Sequence, residues 1–470
     1  MNERHGYRAE SAVFCALMQW LLLFITFVVM AVLQRLARSF GAPPPEAQAT
    51  LALGCVTLAA TLMGVIAQWL RVPRIVGYLI AGFVAGPAWL RIVREPELQA
   101  LSVISTGALA LIAFAAGSEL TIDALRAPPR RAALLRIVTG AMALPFAAVV
   151  FVVLTISPWF PLTAHQPFRD ALVVALALGA MATVSSPTLT WAVITETDAT
   201  GGGPLSRSTL DVTVLQDLIA VLLLIVILAV ASPLASSGAV TPGIATQTAV
   251  IFAGSIVAGV ALAFALAQYL RAIRGSLPLV FVILAFVIAQ AVRLLGLDAV
   301  LIALAAGCTL RYAAPDQSAR VRGELKRCAI PVYVVFFALA GSNLQLAALG
   351  EMWPWALLLA GLRITGLWGG LRLAGGAGRE GSATWTTYGW LGLISQGGLA
   401  VTLAAVLRRA FPEWNVSLQA LLVAMIGVHQ LAGPICFQWV LRRGGEITEE
   451  VEVEQSSSGV FAGDSGGGRV

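Results

Sequence analysis

Lysine is nearly missing from this chain: Lys326 is the only one in 470 residues. Charged residues of every kind make up 11%, where soluble domains carry about 25%. With 59% hydrophobic residues and a mean hydropathy of +0.87, that shortage excludes a soluble globular protein. Paired cysteine motifs are also missing. Cys15, Cys55, Cys308, Cys328 and Cys436 lie inside or at the edges of apolar segments, which suits small packing residues better than disulfides or metal ligands. The three histidines stand far apart and no zinc or haem motif occurs, so no cofactor is expected. The net charge of +6 is almost all arginine. It does not imply nucleic acid, because basic residues gather at the cytoplasmic ends of membrane helices.

What is present is a series of apolar runs near the ~20-residue length that crosses a bilayer as a helix. They fall at Ser11–Val32, Leu51–Leu70, Ile75–Leu90, Ala100–Leu120, Ala132–Ile156, Ala171–Ile194 and Leu210–Ala231 in the first half. Ala249–Leu270, Leu277–Val292, Val300–Leu310, Ile330–Ala347, Trp355–Leu373, Trp385–Leu407 and Leu418–Val440 follow. The sequence thus predicts an all-α polytopic membrane protein of 13–14 transmembrane helices. Ser11–Val32 is too long for a signal-peptide core and lacks a small-x-small cleavage site, so it reads as a retained helix. Residues 1–48 are then an extra N-terminal helix with a Pro-rich linker, 49–443 the membrane domain and 444–470 an acidic disordered cytoplasmic tail. With both termini cytoplasmic, twenty basic residues lie on the inner side and eight on the outer, as the positive-inside rule requires.

Arg207–Ala231 carries Asp217 near its middle. A carboxylate at that depth costs about 2.5–3.5 kcal/mol on insertion scales, so it faces a cavity or a partner and marks an ion or proton site. The bland alternative is a buried aspartate hydrogen-bonded by a neighbouring helix. Just before it, Thr183-Val184-Ser185-Ser186-Pro187-Thr188 places a proline inside an apolar segment. Proline removes a backbone hydrogen bond and clashes with the preceding turn, while Ser185 and Ser186 offer hydroxyls to freed backbone groups or to a cation. A simple kink would give the same string.

Leu70-Arg71-Val72-Pro73-Arg74-Ile75-Val76-Gly77-Tyr78-Leu79-Ile80-Ala81-Gly82-Phe83-Val84-Ala85-Gly86-Pro87 resembles the "LxxPxxxGYLxAGxxxGP" signature of monovalent cation/proton antiporters, especially the Kef-type potassium branch. Phe114 to Leu120, with Glu119, is similar to the family's "FxxGLE" segment. Ser185-Ser186-Pro187 looks like its "TSP/TDP" break, and Gln216-Asp217 resembles the Gln-Asp form of its central two-residue signature. Leu295 to Gly307 resembles "LGLSxxLGAFxAG", with Asp298 in place of the usual serine, read as a helix cap. Pro331 to Gly341 looks like "PxFFxxxG". Arg363 stands where many members have a lysine or arginine facing the central acid; unpaired it would be expensive, so it requires a carboxylate or the carbonyls of a broken helix. Gln396-Gly397-Gly398 supplies a second break. Breaks at matching places point to inverted repeats around a midplane site, here Ala132–Ala231 and Trp355–Val440.

The resemblance covers about Leu51 to Leu441. It implies a transporter rather than an enzyme, with a sodium/proton-antiporter fold whose two broken helices cross at midplane. It also implies a dimer in membrane lipid, in a bacterial inner membrane, exchanging K⁺ or Na⁺ for H⁺. Asp217, Gln216, Ser185 and Ser186 would hold the ion or proton. Pro187, Arg363, Gln396, Gly397 and Gly398 would shape the break and balance charge, and Glu119 is the candidate second acid. Three other readings stand beside this one: a Kef-like efflux component with a separate regulatory subunit, an organic-anion/sodium symporter, and a non-transporting sensor. Two departures bear on mechanism. Only one acid occupies the central signature, which argues against two-acid electrogenic exchange, and the Kef-type cytosolic regulatory domain is missing.

Overall fold

The computed structural model describes residues 18–29, 32, 45–120, 128–197, 199, 203–235, 240–272, 277–344, 352–375 and 383–447. All regular structure among them is helical. A short apolar helix, α1 (Met18–Val29), is followed by α2 (Pro45–Trp69), α3 (Arg74–Ala85), α4 (Glu95–Ala100), α5 (Ser102–Glu119) and α6 (Pro128–Thr155). Next come α7 (Phe168–Ala182), α8 (Pro187–Glu196), α9 (Pro204–Leu234), α10 (Ile244–Ala272), α11 (Leu277–Leu295) and α12 (Ala299–Ala313). The chain continues as α13 (Pro315–Arg327), α14 (Ala329–Ser342), α15 (Trp353–Gly375), α16 (Ala383–Gly392), α17 (Gly398–Ala410) and α18 (Asn415–Arg443).

Nine helical stretches among the described residues are long and apolar enough to cross a membrane. The other five expected segments correspond to shorter pieces: α1, α3, α12, α14 and the α16/α17 pair. α14 is bent by 62° from the polar α13. Prolines at the first helical positions of α8, α9 and α13 set those starts, since an N1 residue needs no intrahelical N–H partner. The tail from Thr448 onward lies outside the described residues.

Two groups of helices pack side by side. α2, α3, α5, α12 and α14 form one, with α10 and α11 against it; α6 to α9 and α15 to α18 form the other. In the first group the Gly-rich signature helix α3 runs against α14, and a side chain at Gly82 would overlap the Ala338 carbonyl. Only a missing Cβ lets those backbones meet, and Ser342 Oγ seals the contact by donating to Gly82 O at 2.9 Å. In the second group each half has the same order: a long helix (α6 or α15), a broken one (α7/α8 or α16/α17) and a second long one (α9 or α18). α6 and α15 pack along each other, so the two halves interlock instead of lying apart.

At one face, two helix starts are capped by glutamates from distant segments. α3 has no side-chain cap of its own; Glu196, at the end of α8, accepts from the Arg74 and Ile75 amides. α9 begins at Pro204, after Gly203, also without a side-chain cap of its own. Glu446 accepts there from the amides of Leu205 at 2.6 Å and Ser206 at 3.0 Å. Orphan N–H groups at a helix start need such acceptors, and a carboxylate also suits the positive end of the dipole. The segment read as the start of a loose tail is thus anchored to the helix that carries Asp217.

Candidate functional site at the crossing of two broken helices

α7 stops at Ala182 and α8 starts at Pro187; α16 stops at Gly392 and α17 starts at Gly398. The extended residues between them meet in the interior. Ser185 Oγ donates to Leu393 O at 3.0 Å, and Gln396 Nε2 donates to Met181 O at 2.9 Å. Gly397 lies so close to Ser186 that any side chain there would overlap the Ser186 hydroxyl. Pro187 opens α8, and Ser186 caps it by accepting from the Leu189 amide at 3.2 Å. The break is therefore an interrupted helix, not a kink.

Each interruption leaves carbonyls without helical partners, in a setting with no water to take them. Arg363 serves both sets. Its Nε donates to Ala182 O at 3.0 Å, Nη1 to Ile394 O at 2.7 Å, and Nη2 to Val184 O at 2.7 Å and Leu393 O at 3.0 Å. Nη2 also lies 3.3 Å from Ser185 Oγ. The side chain is 0% exposed. Of the two partner types the sequence allowed, Arg363 takes the carbonyls. The planar five-donor fork of a guanidinium fits this task where a compact ammonium could not reach both breaks. The carbonyl ends of α7 and α16 carry the negative poles of their dipoles, and one cation sits against both.

Asp217 is left unpaired by this arrangement. It is 1% exposed, and neither carboxylate oxygen has a hydrogen-bond partner. It faces the Ser185 amide at the break and feels the charges of Arg363 and Asp298. Gln216, 0% exposed, has no partner on either side-chain atom, and Gln396 Oε1 has none either. Buried polar groups are paired in nearly all proteins. The open Asp217 carboxylate and Gln396 Oε1, with the serine hydroxyls of the first break, are hard oxygen groups of the kind that suit a proton or an alkali cation.

The sodium/hydrogen exchanger transmembrane family model matches residues 56–443. The chain belongs to this family. Two structures of the sodium proton antiporter MjNhaP1 from Methanocaldococcus jannaschii share its fold. One, at pH 8, is 16% identical with a TM-score of 0.60, covering 86% of this chain and 99% of that one. The other, an EM map, is 15% identical with a TM-score of 0.60, covering 88% and 97%. At such identity the likeness concerns the fold. No curated protein matches the chain significantly in sequence. The chain is therefore an integral membrane protein of an exchanger family whose members couple cation and proton movement.

As a member of that family the chain places its candidate residues unevenly. Asp217, Ser185, Ser186, Pro187, Arg363, Gln396, Gly397 and Gly398 come together at the crossing; Gln216, buried beside Asp217 on α9, makes no contact with the breaks that places it there. Glu119 does not. It closes α5 at one face, 24% exposed, with Lys326 Nζ at 3.5 Å, Arg311 at 3.7 Å and Arg322 at 3.8 Å. Arg311 and Arg322 also donate to Ser118 O there. Three cations already hold that acid, away from the crossing.

The sequence reading missed His429. On α18 it is 0% exposed, with Nδ1 at 2.7 Å from Met425 O and Nε2 unpartnered; Arg363 is the charge that acts on it. An isolated histidine in an apolar run carries no spacing signal, so only tertiary packing reveals it.

Proposed function

We propose that the chain is a secondary antiporter exchanging a monovalent cation, K⁺ in preference to Na⁺, for H⁺, with Asp217 as the carrier both ions share. The observation that carries this reading is a buried carboxylate with no partner at the meeting point of two interrupted helices. K⁺ is favoured by the resemblance of Gln216-Asp217 to the Kef-type form. Both termini face the cytoplasm, and two copies assemble in the bilayer. The reading of orientation rests on the positive-inside count; Arg442 Nη2 reaches Arg71 O at 3.5 Å, so two residues which that count assigns to the inner side lie together. The extra N-terminal helix 1–48 and the acidic tail 444–470 stand outside the exchange unit, apart from Glu446, which caps α9.

Stoichiometry follows from counting charges. Gln216 stands where two-acid members have a second aspartate, so one carboxylate holds one proton or one monovalent cation. Arg363 stays protonated throughout. Exchange then moves no net charge. Because a membrane potential is worth about 2.3 kcal/mol per elementary charge per 100 mV, an electrogenic cycle would respond strongly. Proteoliposomes clamped at opposite potentials are expected to exchange at equal rates for each alkali cation tested. A rate or end-point that follows voltage rules out the one-acid cycle.

Ser185, Ser186 and Gln216 act as neutral oxygen ligands in this scheme. Single alanine variants are expected to raise the apparent cation KM severalfold while leaving the maximal rate near wild type. Measured KM values unchanged in all three would move the cation elsewhere.

A further inference from the structure

Glu196 is the last residue of α8, a poor place for an acid on its own helix. The final turn carries the negative pole of the dipole, and no basic residue in that turn offsets it. Elsewhere a local side chain caps the helix it precedes: Ser186 accepts from the Leu189 amide before α8, and Asp298 from the Leu301 amide before α12. At α3 the cap position is Pro73, which makes no side-chain bond. The acceptor for the Arg74 and Ile75 amides comes instead from Glu196, 122 and 121 residues away along the chain. The partner explains this acid; its helix does not.

That partner lies in the other group of helices. α8 packs against α9 and α18 of its own group, and also against α3, α5 and α14 of the first. Its start is set at the crossing, where Pro187 opens it and Ser186 abuts Gly397. Its far end is held by the first group. Glu196 bonds the α3 start there, and Lys326 Nζ on α13 lies 5.6 Å from the centre of the Trp191 ring. A half-helix of ten residues thus joins the crossing to the opposite group. Glu446 makes the same kind of cap on α9. It follows α18, however, and α9 and α18 belong to one group.

We infer that Glu196 is a positioning residue that latches α8 to the first group: its bond to the α3 start holds the crossing in this arrangement and releases when the site turns to the other face. The role rests on Asp217 as a carrier reached from both faces in turn, which requires one bundle to move against the other. A contact between the groups breaks in such a movement, whereas a contact within one group travels with it. Two charge-assisted hydrogen bonds to a carboxylate are strong enough to hold the end of a helix, and nothing covalent prevents their release. Glu196 and Glu446 are alike in chemistry and opposite in behaviour: one is a latch, the other a pin.

Two tethers separate latch from pin. They are built in a chain whose five native cysteines are replaced by alanine and whose exchange is verified. Arg74→Cys with Thr197→Cys spans the latch, and Arg207→Cys with Ile447→Cys spans the pin; both pairs leave the glutamates in place. Each pair is bridged in proteoliposomes by a short bifunctional thiosulfonate, with exchange assayed for K⁺ and for Na⁺. The bridge across the latch is expected to cut exchange to the level of empty vesicles, and reductant to restore it. The bridge across the pin is expected to leave the rate unchanged. Exchange that survives the first bridge, or that is lost equally under the second, overturns the inference. Adding Glu196→Gln to the first pair is expected to slow the bridging itself severalfold, because the two ends spend less time together. An unchanged bridging rate leaves Glu196 a simple cap. Bridging is read by mass and needs no flux, so Asp217→Asn run in parallel keeps the two claims apart: exchange surviving in that variant defeats the carrier reading, while the bridging rate judges the latch.

Discussion

Asp217→Asn is expected to reduce cation/proton exchange to the level of empty vesicles while leaving the folded protein intact. Asparagine preserves the size of the side chain and removes both its charge and its titration. At a separation of about 4 Å and an effective dielectric near 20, an ion pair is worth about 4 kcal/mol. That corresponds to roughly three orders of magnitude in cation affinity. The proton half of the cycle is lost outright, because an amide does not exchange a proton at working pH. Folding is not expected to suffer, since the carboxylate oxygens hold no hydrogen bonds to lose. The asymmetry between lost transport and retained stability is the signature to measure, by flux in proteoliposomes and thermal unfolding in detergent. Residual coupled flux well above background would reject Asp217 as the carrier.

Arg363→Gln is expected to show the opposite balance: a large loss of stability together with loss of exchange. Arg363 donates to four carbonyls at distances of 2.7–3.0 Å, two from each break. Removing it leaves buried acceptors bare, each costing about 1–3 kcal/mol. Those costs do not add simply, because the groups share one network. A total of about 3–5 kcal/mol is the scale for breaking a buried charged arrangement. Arg363→Lys is expected to fall between, since three donors on a compact head reach one break better than two. Arg363→Gln with wild-type Tm and wild-type flux would show that the crossing does not depend on this residue. The order Asp217→Asn above Arg363→Lys above Arg363→Gln in Tm is the ranking this geometry requires.

These two variants also separate roles that the sequence left joined. Arg363 and the central acid are easily imagined as an ion pair, because each needs a partner inside a membrane. The structure gives the arginine to the backbone and leaves the acid open. An acid held by a strong cation would have to break that bond on every cycle. In the proposed exchange, the cation Asp217 lacks is the one it takes up from solution.

Much of this protein was determined along the chain itself. Apolar length set the membrane class and nine of the spans, because every span must hide its own backbone from lipid. Proline and paired glycine set the two breaks, at Pro187 and at Gly397-Gly398, since neither continues an α-helix readily. An aspartate in mid-run marked the candidate site, because a carboxylate at that depth is costly unless it faces a cavity or a partner. What only the tertiary structure decided were the pairings across distance. Glu119 belongs to a cluster of cations at one face, Glu196 and Glu446 cap helices far away in sequence, and His429 stands beside the crossing. Periodicity reports which face of a helix is apolar; it does not report which helix lies opposite. A polar group's partner comes from whatever backbone the fold brings near, so the chemistry of a lone residue is legible in sequence only when burial alone makes it costly.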